Sequence, residues 1–196
     1  MELIIAKKIF QFFCHQMPER SLQFNSETFP LCFRCSGIYI GIFLSHIYAY
    51  IMKRYSKISP NRKCGLLLVL LAVPLAVDGI GDSLNFWNSP GEVRLVTGLL
   101  MGVFISLTLI SIPNLFEKFN DAKSDLLFRD FIIPILLGFV SIYLFMNINS
   151  EFVFHIYTTI VLIGWSIVIS HIMFFVYDSS KNRVYTLFRI LLFKRD

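Results

Sequence analysis

FVFHIYTTIVLIGWSIVISHIMFFVY, residues 152–177, decides the fold. These 26 residues hold no Asp, Glu, Lys or Arg. As a helix they would rise about 39 Å, enough to cross a hydrocarbon core of roughly 30 Å. A water-solvated domain has no use for so long an uncharged run, so lipid is the expected solvent.

Working outward, four more apolar stretches follow the same logic: Ser36–Met52, Gly65–Ile80, Leu95–Ile112 and Phe131–Phe145. The chain has 196 residues, of which 56% are hydrophobic, where soluble domains stay at or below about half. Its mean hydropathy is +0.66. The pattern predicts an all-α integral membrane bundle of about five transmembrane helices. It forms a single domain over 1–196, with an extracytoplasmic Cys/His segment (1–35), the bundle (36–177) and a basic tail (178–196). Residues 3–13 predict a short helix lying in or against the bilayer, too few to span it. Lys7 and Lys8 in its middle, and the lack of a small-residue cleavage site, argue against a cleaved signal. Residues 17–31 read as a polar loop. In the tail, Val184, Leu187, Phe188 and Leu191 at helical spacing predict an interfacial amphipathic helix over Asn182–Phe193.

The net charge of +5 is a topology signal, not a nucleic-acid signal. Of the 18 Lys and Arg, 13 fall in Lys53–Lys63, Pro113–Asp130 and the tail, which five spans place on one side. The positive-inside rule puts that side, and the C-terminus, in the cytoplasm. The N-terminal segment, the 81–94 connection and the 147–151 turn then face outward, and Trp87 marks the outer interface.

Against this apolar background stands a polar run. Three of the four cysteines and one of the four histidines lie within 14–35: Cys14-His15, then Cys32 and Cys35 in a C-x-x-C. With five spans, Cys14, His15, Cys32, Cys35, Asp78, Asp82 and Arg94 all converge at one membrane face, and His155 could join them. Cys64 belongs to the opposite face. Gly37-x-x-x-Gly41 and Gly98-x-x-x-Gly102, near the same face, let helix backbones approach closely, within the chain or in a homodimer.

Metal binding and thiol redox are the two common reasons to build such a cysteine set. Zinc takes Cys and His ligands, and three protein ligands plus an open position is the pattern of a catalytic site, four that of a structural one. Asp78, an acid near the end of an apolar span, is expensive there. It could orient a ligand histidine, act as general base, or pair with Arg94. Asp78 and Asp82, four apart, face one way if the helix continues past Gly79 and Gly81. Arg94 could clamp a phosphate or carboxylate. The redox alternative uses Cys32 and Cys35 with a membrane quinone, the thiols activated by the helix start and by Arg34. His46 and His171 read as packing or hydrogen-bonded histidines.

Cys14-His15-Gln16, Glu19-Arg20-Ser21, Pro30-Leu31-Cys32-x-Arg34-Cys35-x-Gly37-Ile38-Tyr39-x-Gly41, Asp78-Gly79 and Arg94-x-x-Thr97-Gly98 together resemble a family of small bacterial and archaeal membrane proteins known only as a domain of unknown function. The resemblance covers about residues 10–105 and implies no activity. The residues themselves lead to an extracytoplasmic metal site, zinc by its donor set, at Cys14, His15, Cys32 and Cys35. Asp78 and Arg94 are the candidate catalytic residues. At headgroup level the substrate would be a lipid, a lipid-linked molecule or another anion, with hydrolysis or group transfer as the reaction. A carrier or accessory protein with a purely structural zinc is the third reading.

Overall fold

In the computed structural model, residues 2–14, 16–24, 27–53, 58–59, 62–116, 124–125, 127–147 and 150–192 are described. Helix α2 (Phe33–Ile51) is the axis of the molecule, and α4 (Gly91–Phe116) runs parallel against it. Their contact is made by backbone. A Cβ added at Gly37 would sit 2.2 Å from the Leu95 carbonyl oxygen, and one added at Gly102 would sit 2.2 Å from that of Ile38. Gly41 and Gly98 are equally tight against α4 and α2 respectively. The two small-residue motifs therefore face each other within one chain, as close helix approach requires.

Helix α3 (Arg62–Ser83) packs against α4. Helices α5 (Arg129–Asn147) and α6 (Glu151–Leu192) pack against α2. Contacts Tyr48–Asp130 and Phe29–Phe145 lie at opposite ends of α5, so it runs antiparallel to α2. Gly164 meets Tyr39 and His171 meets His46, so α6 runs parallel. Among the described residues, four helices are long and apolar enough to cross a membrane, within Gly65–Ser83, Gly91–Ser111, Arg129–Asn147 and Glu151–Tyr177. The remaining expected span, α2, carries Arg34, His46 and three tyrosines. These lower its hydropathy, but α2 has neighbours on several sides, so its composition is that of a bundle interior.

The N-terminal region differs from the sequence reading in two ways. Helix α1 (Glu2–Phe10) is present, but Ala6 and Phe10 are fully buried in the protein, Phe10 with ring centroids 5.7 Å from Tyr39 and 6.2 Å from Trp165. Its apolar face is thus used on the bundle; Phe12 and Phe13 just beyond it are exposed. The expected loop 17–31 contains a single 3-10 turn (Pro18–Arg20) and an antiparallel hairpin of β1 (Ser21–Phe24) and β2 (Glu27–Cys32). Phe29 and Leu31 of β2 are fully buried, with the Phe29 ring edge-on to Phe145 and Phe154. That burial fixes the strand's register.

At the other end, β3 (Ile58–Ser59) and β4 (Ser124–Asp125) form a two-residue parallel pair. Asp130 is fully buried there, accepting from Tyr48 Oη at 3.1 Å and from the Leu127 N–H at 2.8 Å. The tail does not start a new helix. Helix α6 continues unbroken through 42 residues, roughly 63 Å at 1.5 Å per residue. The amphipathic face predicted for Asn182–Phe193 lies outside the described side chains.

Candidate metal centre and arginine cage

The end of the bundle where α1, the hairpin, α2, α3 and α4 meet holds the chemistry. Cys14 follows α1, whose last turn is prolonged by the Cys14 N–H donating to Phe10 O at 2.8 Å. Gln16 then takes a positive φ of 49° and its amide donates to Lys7 O at 2.8 Å, turning the chain toward the hairpin. Cys32 ends β2 and is the N-cap of α2; Cys35 lies in the first turn. The hairpin thus returns the C-x-x-C to Cys14.

The three sulfurs lie within 4.8 Å of one another. Cys14 is buried, Cys32 and Cys35 half-buried, and all three are free thiols. The Cys32 N–H donates to Cys14 Sγ at 3.3 Å. Contacts from the Cys32 and Cys35 thiols, then that N–H, hold Cys14 well below the ordinary thiol range, while Cys32 is raised by sharing Cys14. The main stabilisation of a Cys14 thiolate comes from its sulfur neighbours. His15 lies outside the described residues. His155 is on the exposed part of α6, with Nε2 3.8 Å from Glu151, and is not among the metal-competent residues described.

Asp78 and Asp82 do face one way. Helix α3 continues to Ser83, and both carboxylates are buried beneath three arginines. Arg34 donates from Nε to Asp78 Oδ2 at 2.7 Å and from Nη1 to Asp82 Oδ2 at 3.2 Å, with its Nη2 on the Asp78 carbonyl at 3.2 Å. Arg94, 4% exposed, donates from Nη2 to Asp82 Oδ1 at 2.8 Å and to Asn88 Oδ1 at 2.9 Å. Arg20, on the 3-10 turn, reaches Asp82 Oδ2 at 3.1 Å. Ser89 Oγ donates to the second oxygen of Asp78. The Arg94 partner is Asp82, and the Asp78 partner is Arg34.

The α3–α4 connection is built to close this cage. Asn85 adopts φ 56°, with the Phe86 N–H on Gly81 O at 2.9 Å, a left-handed C-cap of the Schellman type. The turn lays Trp87 over Gly81, where a Cβ would lie 2.1 Å from the indole. It also delivers Asn88 and Ser89 to Arg94 and Asp78.

Above the cage, a cavity of about 400 Å³ is lined by Phe13, Cys14, Met17, Arg20, Cys32, Arg34, Cys35, Ser83 and Arg94. Both aspartates stand behind the arginines and neither lines it. Arg20 and Arg34 are the members that sequence reasoning missed as cage components. Their signal was present: two buried acids near the end of a span need more than one cation.

A multi-pass helical membrane protein with a three-cysteine cluster beside an arginine-walled cavity is the class this geometry defines. The chain belongs to the family described as predicted membrane protein (DUF2085), which matches residues 14–108. An uncharacterized protein of Methanothermobacter thermautotrophicus is 33% identical over 98 residues, 50% of this chain and 85% of that protein. An uncharacterized protein of Methanocaldococcus jannaschii is 31% identical over 115 residues, 57% of this chain and 72% of its own length. No solved structure matches the chain. The family match starts at Cys14 and ends within α4, so it holds every cysteine and arginine lining the cavity, while α5 and α6 lie beyond it.

Proposed function

We propose that Cys14, Cys32 and Cys35 hold a zinc ion at the extracytoplasmic lipid headgroup level, and that the adjoining cavity takes a lipid or lipid-linked substrate for hydrolysis or group transfer. The observation carrying this is the convergence of three sulfurs from two chain segments to within 4.8 Å. Tetrahedral zinc with 2.3 Å bonds needs sulfurs about 3.8 Å apart, a spacing within the 4.8 Å that bounds the set. Three thiolates also fit a soft or borderline metal by donor chemistry. Zinc would supply Lewis acidity to an oxygen in its fourth position.

This chain's residues have separable parts. Phe12, Phe13, Phe86 and Trp87, all exposed at this end, suit the membrane–water interface. Arg94 would touch the substrate anion. Asp78 is a positioning residue in this reading, since Arg34 and Ser89 engage both of its oxygens. The outward orientation rests on the 13 basic residues assigned to the other side.

Purified protein in mild detergent should carry about one zinc per chain, with Cys14, Cys32 and Cys35 unreactive to alkylating reagents until a chelator is added. No metal, together with a disulfide trapped between Cys32 and Cys35, would overturn the metal reading and install the redox one. That alternative keeps the C-x-x-C at a helix start, with the charge of Arg34 partly offset by Asp78 and Asp82.

A further inference from the structure

The arginine cage holds more cationic hydrogen-bonding capacity than its own acids use. Each guanidinium offers five N–H donors in a fixed fork. Among the described residues Arg20 is bound through Nη1 alone, and its side chain remains 39% exposed. Among the described residues Arg94 is bound through Nη2 alone. Its Nε is buried and has no acceptor among the described residues, and the residue, only 4% exposed, lines the cavity. A buried, unpaired donor on a charged group is costly and calls for a partner. The charge points the same way: three guanidinium groups face two carboxylates, an excess of one positive charge within the cage itself. Both acids are behind the arginines, so nothing anionic on the described lining except a thiolate competes for the cavity.

We infer that the cavity is an oxyanion site, in which Arg20, Arg34 and Arg94 bind a tetrahedral phosphate group. Arginine forks suit phosphate oxygens, and pairs of them give several parallel N–H···O bonds. A cavity of about 400 Å³ has room for a phosphate with a glyceryl or similar group attached. Phe13 on its wall and exposed Phe12 beside it would receive the apolar remainder of a lipid. The inference deepens the proposed function and shares its cavity, but anion binding here does not require the metal.

The test uses the full chain. Inorganic phosphate is titrated into detergent-purified protein by calorimetry. In parallel, protein in phosphatidylcholine nanodiscs, with or without phosphatidic acid, is examined by native mass spectrometry for retained lipid. Saturable phosphate binding identifies a free anion. Selective retention of phosphatidic acid without phosphate binding identifies a headgroup. Either result supports the site if Arg20→Gln weakens it about tenfold or more while melting temperature stays unchanged, Asp82 keeping its Arg34 and Arg94 contacts. Binding of neither probe to folded protein overturns the site, as does wild-type binding in both Arg20→Gln and Arg34→Gln. Zinc is counted on the same samples. Zinc without anion binding sinks this inference alone; anion binding without zinc sinks the metal reading alone.

Discussion

Asp82→Asn is the most severe test of the cage. Among the described residues Asp82 is the one acid shared by Arg20, Arg34 and Arg94, at 3.1, 3.2 and 2.8 Å. The substitution keeps the shape and one carbonyl oxygen but removes the charge. Arg20 adds little, because its side chain is 39% exposed and water screens it. Arg34 retains Asp78. The loss is therefore concentrated on Arg94, left among the described residues with neutral amide oxygens, that of Asn88 among them, and no counter-charge. Breaking a buried pair by removing one partner costs 3–5 kcal/mol, and the remaining amide acceptor puts this case at about 3 kcal/mol, the low end of that range. For a chain of this size that is a fall in melting temperature of roughly 6–12 °C. The readout is the surviving monodisperse fraction after heating in detergent, by size-exclusion fluorescence. Arg94→Met and the double variant complete a cycle. If Asp82 is the counter-charge of Arg94, the double variant loses less than the sum of the two single losses, by about 2 kcal/mol. An Asp82→Asn protein melting within about 2 °C of wild type, or strictly additive losses, would refute the cage as described.

Gly102→Val should separate α2 from α4, because its Cβ would lie 2.2 Å from Ile38 O, and overpacking of this kind costs about 1–3 kcal/mol; lowered melting with depleted zinc is expected. Tyr48→Phe removes the hydroxyl donor to buried Asp130 at the opposite end and should cost about 1–3 kcal/mol while leaving zinc content and phosphate binding at wild-type values. Cys14→Ser should reduce bound zinc well below one per chain and expose Cys32 and Cys35 to alkylation without chelator, because one of three clustered sulfurs is gone.

The sequence displays the membrane spans because lipid demands long apolar helices, and length is visible without any tertiary information. The convergence of Cys14, Cys32, Cys35, Asp78, Asp82 and Arg94 was legible for the same reason: successive spans return the chain to the same face. Depth is readable; partners at that depth are not. Arg34 inside the C-x-x-C looked like a thiol-activating cation, yet the roughly 100° of helix rotation between it and its neighbour Cys35 lets it reach Asp78 and Asp82 of α3. The hairpin Ser21–Cys32 escaped notice because Pro30 and polar neighbours break the alternation, and only the burial of Phe29 and Leu31 against α5 and α6 makes it a strand pair. Helix α1 could not be told from an interfacial helix, since Ala6 and Phe10 would serve a lipid surface or a protein surface equally well.

The placement of Asp78 bears on what the centre can do. A general base must reach the proton it removes, within about 3 Å or through one water. Asp78 accepts from Arg34 and Ser89, is 5% exposed, and does not line the cavity. A role at a distance, through Arg34, is what this arrangement allows: Asp78 fixes at the cavity wall the guanidinium that is proposed to bind the anion. Asp78→Asn should then weaken phosphate binding about as much as Arg34→Gln does, and the double variant should add little to either, since both act through one fork. A base would behave otherwise. Its loss would leave phosphate binding at the wild-type value while removing any turnover. Wild-type affinity in Asp78→Asn, with affinity lost in Arg34→Gln, would separate the two residues and return Asp78 to the chemistry.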